Sequence, residues 1–456
     1  MRITKPTKKK KKIGPVGVVI LAVVILGPLA AAGVGALFLM EDMEKPTVAL
    51  YPLIDAVSLK KEFTVKAEDP GSGIKSIVVT AGQGLKKYTV LRKSYDALQK
   101  AVLETFSLEK AELRGGEFDL QVVVTDGSFF NFGAGNSARI DRRMTLDMAP
   151  PNVRPLTPTH YMRQGGVGLV VYTVSKEPER SGVMVGDRFF PGFKQDSGSY
   201  LCLFAYPRDM EAEDYKPRLY AEDRAGNERT GFFVNMAIKR RFKEERVEIS
   251  DEFLAAKMPA FAAQYPEARD PVALFLKVNG DQRRKDEAVL RDLGRKTSPK
   301  PLWNGPFIYL PGSSVLGSFG AERAYVYKGE QIDRQYHMGI DLASTPKAAV
   351  PAANDGVVVF AGDMGLYGKT VVIDHGLGLQ TLYGHLSQID VKAGDAVAKG
   401  RIIGRTGTTG LAFGDHLHFG VVLSGLEVIP IEWWDAKWLE DNVTQKIRRF
   451  GGEIPQ

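Results

Sequence analysis

The chain has 456 residues, of which 44% are hydrophobic and 25% charged. That length implies roughly two to four domains, and the composition excludes a mostly disordered, collagen-like or polytopic membrane chain. The formal charge of +7 resides entirely in residues 1–12, which hold one Arg, six Lys and no acid. The body of the protein is therefore electrically balanced, and no nucleic-acid partner is expected. A single cysteine, Cys202, excludes an intramolecular disulfide and any Cys-based metal cluster.

Taken in chain order, the basic tail 1–12 is followed by IGPVGVVILAVVILGPLAAAGVGALFLM at 13–40, a stretch without charge. As a helix it would be about 42 Å long, enough to cross a hydrocarbon core of about 30 Å. Gly27-Pro28 is expected to kink it. The preceding lysines place the tail in the cytoplasm by the positive-inside rule. A single-pass anchor in the inner membrane is expected, with everything after Glu41 on the periplasmic side. Ala30-Ala31-Ala32 keeps a cleaved signal peptide open as the rival reading.

Residues 45–146 contain short β-rich runs separated by turn chemistry such as Asp69-Pro70-Gly71-Ser72-Gly73. A β-sandwich is expected. Residues 147–240 repeat the plan, opening at Ala149-Pro150-Pro151. The turn Ala221-Glu222-Asp223 with Ala225-Gly226-Asn227 resembles the last hairpin of bacterial immunoglobulin-like modules. That resemblance implies two Ig-like sandwiches, which act most often as spacers.

Residues 241–300 change character and read as a helical connector. The run RRFKEER is a solvated charged stretch, after which Ser250 has the chemistry of an N-cap with Asp251 and Glu252 in the first turn. Pro259 must end or kink that helix. Asp270-Pro271 starts a second, and residues 281–293 form a third, ended by Gly294. The connector either projects the next domain outward or covers its cleft. Residues 301–440 are again rich in strand-forming residues and glycine, and the tail 441–456 reads as short and polar.

The chemistry lies in the histidines. Five of the six fall between His337 and His418. His337 and Asp341 form an H-x-x-x-D pair, with Gly339 between them arguing for a loop that leads into a strand. His416 and His418 form an H-x-H in the alternating run HLHFGVVL, so both imidazoles point to one face of a strand while Leu417 and Phe419 point to the other. A catalytic zinc takes three N/O ligands and leaves a position for water. Histidines in excess of three ligands then remain for proton transfer or oxyanion stabilisation.

These residues resemble a known family. H-x-G-x-D-L-A from His337, V-V-I-D-H-G from Val371, T-L-Y-G-H-L-S from Thr381 and H-L-H-F from His416 are similar to the M23 metallopeptidases, also called LytM or lysostaphin-type endopeptidases. Ser318-Phe319-Gly320 and Tyr325 fit as well, and the match covers about 302–435. The resemblance implies a compact antiparallel β-fold, one zinc ion per chain, and hydrolysis of peptide bonds in peptidoglycan cross-bridges or stem peptides. It implies His337, Asp341 and His418 as metal ligands, with His385 and His416 as the non-ligand catalytic pair. His375 is read as structural, His160 as a surface residue, and Asp415 has no assigned role. The segment 391–404, VKAGDAVAKGRIIG, is read as a β-hairpin turning at Gly394-Asp395 and not as a lipoyl carrier site. Some members of this family have lost their ligands and act as regulators of other wall enzymes, so a scaffold is the alternative function.

Overall fold

The computed structural model describes residues 15–39 and 42–451, so the expected basic tail and the last five residues lie outside the described residues. The chain is mainly β, with two compact units: Met1–Ala149 with Arg224–Asn227, and Pro150–Asp223 with Glu228–Gln456.

The first unit begins with one helix, Pro15–Leu39, that carries no charged side chain and contains Pro28. Among the described residues no helix is long and apolar enough to cross a membrane. The side chains at 17–18, 20–21 and 35–39 of this helix lie outside that description. Beyond it, a five-stranded sheet runs in the order Ala56–Val57, Ser137–Leu146, Gly116–Asp126, Ile74–Gln83, Lys86–Gln99. A three-stranded sheet, Thr47–Tyr51, Phe63–Glu68, Ala101–Phe106, shares its core. The alternation is plain in the burial: Phe63, Val65 and Ala67 point inward, as do Phe118, Leu120, Val122 and Val124.

The second unit is built on an antiparallel sheet ordered Ser314–Gly317, Ile340–Ala343, Leu417–Leu423, Leu379–Leu386, Gly368–Gly376, Gly356–Met364, Ala396–Val397, with Leu426–Val428 added on Leu417–Leu423. The two central strands, Leu379–Leu386 and Leu417–Leu423, are buried along their whole length. Covered sheets read as continuous apolar runs, and the two faces have different neighbours. Val371, Ile373, Tyr383, Phe419 and Val421 face a core that includes Trp303, Phe307 and Trp433. Val372, Leu382 and Val422 face Leu254, Phe275, Leu290 and Leu293.

Those last four residues belong to the connector, which is thus part of the sheet's packing. Its strand Glu244–Ile249 pairs in parallel with Glu322–Tyr327. Ser250 caps the helix Asp251–Lys257 by accepting from Phe253 N, and a 3-10 segment starting at Met258 follows where Pro259 stands. Asp270 caps Pro271–Lys277 with Pro271 at the first turn, and Gly294 follows Arg283–Leu293.

Residues 150–240 form two four-stranded sheets and a parallel pair, Thr159–Arg163 with Val234–Ile238, and their core is continuous with that of the large antiparallel sheet: Val170, Leu201 and Leu203 belong to the same cluster as Trp433, Val443 and Ile447. Main-chain bonds also join the parts, Ile429 N donating to Gly165 O at 2.8 Å. Two readings of the sequence need correction. The stretch after 440 is not merely a polar tail, because Val443 and Ile447 are fully buried. His160 is not on the surface: it is 1% exposed, with its ring nitrogens at 2.9 Å from Leu169 O and 3.1 Å from both Thr157 Oγ1 and Val234 O. A buried imidazole among apolar rings satisfies its polar atoms locally.

Candidate metal centre

Strand register assembles the site. Asp341 lies directly opposite His418 on neighbouring antiparallel strands, so the two side chains share a face. On the other side of the same strand His418 is opposite Gly384, which sets the following residue, His385, beside it. His385, the last residue but one of the strand Leu379–Leu386, has φ 61°, a left-handed conformation seldom taken by a non-glycine residue. His337 precedes the strand Ile340–Ala343 in a loop, as Gly339 suggested. A Cβ at Gly339 would come 2.4 Å from His418 Nε2, so only glycine leaves room for the second imidazole.

Three atoms converge. His337 Nε2 is 2.9 Å from Asp341 Oδ1 and 3.1 Å from His418 Nδ1, and His418 Nδ1 is 3.0 Å from Asp341 Oδ1. His337, Asp341 and His418 are all buried and each offers one ligand atom to a common point. His337 Nδ1 is 3.1 Å from Ser318 O; donating its proton there leaves the Nε2 lone pair aimed at the centre, the outer arrangement typical of a metal-bound histidine. Two imidazole nitrogens and one carboxylate oxygen, buried together, suit a zinc ion with an open fourth position.

The two remaining histidines are tethered alike. His385 Nδ1 is 2.8 Å from Thr409 O and His416 Nδ1 is 2.9 Å from Gly414 O. A proton on each Nδ1, donated to the carbonyl, leaves Nε2 as the free nitrogen. His416 Nε2 stands 3.5 Å from Asp341 Oδ1, and the rings of His385 and His416 are 4.8 Å apart. Both line the same cleft as the three-residue group.

The electrostatics follow from burial and crowding. Burial, then the neighbouring rings of His416 and His418, hold His385 well below the ordinary histidine range. Burial brings His418 down to about 4. Burial also works against protonation of His416, but the Asp341 carboxylate outweighs it and raises the ring. Burial by itself would raise Asp341; the surrounding imidazoles reverse that and keep its carboxyl well below the usual range.

The sequence did not disclose the outer residues. Arg323 Nη2 donates to Asp341 Oδ2 at 2.8 Å and Arg323 Nε to Glu245 Oε2 at 3.0 Å. The Tyr367 ring lies tilted against that of His418, centroids 5.3 Å apart, and its hydroxyl donates to the buried Glu427. Arg283, from the connector, lines the cleft too. His375 stands apart, buried between Asp355 O and Thr381 Oγ1. Asp415 fastens two loops, accepting from Thr406 Oγ1 at 2.6 Å and from Lys347 N at 3.1 Å.

Residues 335–430 match the model of Peptidase family M23 and form an M23 peptidase domain. The DD-carboxypeptidase/endopeptidase Mpg of Neisseria meningitidis serogroup B is 42% identical over 95 residues, 21% of this chain and 22% of that protein. The peptidoglycan DD-endopeptidase ShyA of Vibrio cholerae is 41% identical over 92 residues, 20% of this chain and 21% of that protein. The match thus spans about a fifth of these curated relatives. Among solved structures, the catalytic domain of the antimicrobial peptidase lysostaphin from Staphylococcus simulans is 27% identical and covers 27% of this chain and 94% of that one, with a TM-score of 0.25.

Proposed function

We propose that the protein is a zinc-dependent endopeptidase that hydrolyses peptide cross-links of bacterial peptidoglycan. The observation that carries this reading is the convergence of His337 Nε2, Asp341 Oδ1 and His418 Nδ1, with two further imidazoles tethered beside them. A zinc ion held by those three residues would polarise the scissile carbonyl and lower the pKa of water. The remaining work falls to the chain. His385 and His416 present Nε2 to the cleft; the neutral ring takes the proton of the attacking water and returns it to the leaving amine, and the other, protonated on both nitrogens, donates from Nε2–H to the developing oxyanion. Arg323 holds Asp341 in place through its second oxygen.

The names of Mpg and ShyA favour the D,D-linkage between stem peptides as the bond cleaved. The charge-free sequence 13–40, behind a lysine-rich tail, supports an inner-membrane anchor with the catalytic domain on the periplasmic side. Carbonate extraction of membranes tests the anchor: the protein should stay in the pellet, and release into the supernatant would remove it.

Digestion of purified sacculi by residues 41–456, with products read by mass spectrometry, tests the activity. Cross-linked muropeptides should be converted to monomers bearing new D-Ala ends, and a chelator should stop the conversion. Intact cross-links in the presence of zinc would defeat the assignment.

A further inference from the structure

The first unit holds a second convergence of carboxylates, remote in sequence from the histidines. Asp42, Asp69 and Asp126 each place an oxygen within 4.8 Å of the others. They come from three segments: Asp42 precedes the strand Thr47–Tyr51, Asp69 follows Phe63–Glu68, and Asp126 ends Gly116–Asp126. Two of the three are held as hydrogen-bond acceptors. Asp126 Oδ1 accepts from Asn136 N at 2.7 Å, Ser128 Oγ at 2.8 Å and Ser128 N at 3.1 Å, and its Oδ2 from Asn136 Nδ2 at 2.9 Å. Asp42 Oδ2 accepts from Ser72 N at 2.6 Å and Oδ1 from Glu44 N at 3.1 Å.

Asp69 is different. It is 3% exposed, yet its Oδ2 is buried without a hydrogen-bond partner among the described residues. A buried carboxylate oxygen left so, beside two other carboxylates, is costly unless a cation compensates it. The neighbouring cation, Lys100, is turned elsewhere: its Nζ donates to Pro70 O at 2.8 Å and to Gly71 O.

We propose that Asp42, Asp69 and Asp126 bind a hard divalent cation, calcium by preference. Calcium takes irregular sets of oxygen ligands at 2.3–2.6 Å, so a single ion can reach three oxygens within 4.8 Å of one another. The absence of nitrogen and sulfur donors from the trio sets this site apart from the histidine centre. A bound ion would fasten the segment at Asp42 to the loops at 69–73 and 126–136.

The test uses residues 41–456 with zinc held constant and calcium buffered by EGTA. Titration calorimetry should show one saturable calcium site, with calcium raising Tm by several degrees. Asp69→Asn should abolish both responses while leaving Tm without calcium unchanged or higher, because Asp69 Oδ2 satisfies no donor among the described residues. Asp42→Asn, at a partly exposed position, should weaken calcium binding by at least about tenfold. The proposal is overturned if the wild-type chain shows no calcium response, or if both variants keep it. A change of Tm in Asp69→Asn that is the same with and without calcium would likewise reduce the trio to a structural acid cluster.

Discussion

Arg323 shows how far the proposed metal site extends beyond the three residues that would ligate it. Its guanidinium ties Asp341, a residue of the centre, to Glu245 of the connector strand. Arg323→Gln should lower zinc affinity by about 10–100-fold, read by competition with a chromogenic chelator, because outer partners set ligand orientation and basicity. An unchanged affinity would confine the metal site to its three ligands. Four of the five residues at the cleft were legible because the H-x-x-x-D and H-x-H patterns carry their geometry locally; His385 was legible only through the resemblance of T-L-Y-G-H-L-S to the family motif. Arg323 and Glu245 were not, since 78 positions separate them and nothing in either neighbourhood marks the other. A second residue-scale prediction concerns Glu432, buried and accepting from Val167 N, whose carboxyl burial pushes up to about 7. The folded state therefore prefers the protonated acid, and stability falls as pH rises from about 4.5 to about 7. Glu432→Gln keeps the acceptor and removes the penalty. The variant should be more stable at pH 8 by an amount on the order of 3 kcal/mol, and equal to wild type near pH 4 in urea unfolding.

At the scale of elements, the connector is where local chemistry spoke most clearly. Ser250, Asp270-Pro271 and Gly294 mark the helix ends that the structure shows. Ser250→Ala should cost about 1 kcal/mol, measured by thermal unfolding, because Phe253 N loses its acceptor. What those signals could not convey is the packing. Phe253 stacks at 4.2 Å on Phe413, which lies in the loop just before His416, so the capped helix braces the side of the sheet that carries the histidine cleft. The C-terminal segment was misread for a different reason. Its composition is polar, but Leu439, Val443 and Ile447 recur at four-residue spacing, and that stripe is what the core takes up. Ser137–Leu146 carries a weak strand signal in the sequence, because its outward positions are charged and its apolar positions small or few.

At the scale of the whole molecule, composition suggested separable modules, and the packing of the second unit says otherwise. The peptidase sheet has the connector helices on one face, and its other face belongs to a core continuous with the strands of 150–240. The fragment 298–456 should therefore fail to fold alone, giving aggregated material in size-exclusion chromatography, whereas 150–456 should be monomeric and cooperative on heating. A soluble, cooperatively melting 298–456 would show that the shared cores are dispensable.

Two kinds of histidine surround the proposed metal, those that hold it and those that move protons, and paired measurements on two variants tell them apart. Zinc content and muropeptide hydrolysis are measured on the same samples of His418→Ala and His385→Ala. The structure predicts that His418→Ala loses both metal and activity, while His385→Ala keeps stoichiometric zinc and loses activity. Loss of zinc from His385→Ala, or hydrolysis surviving in either variant, would contradict the account.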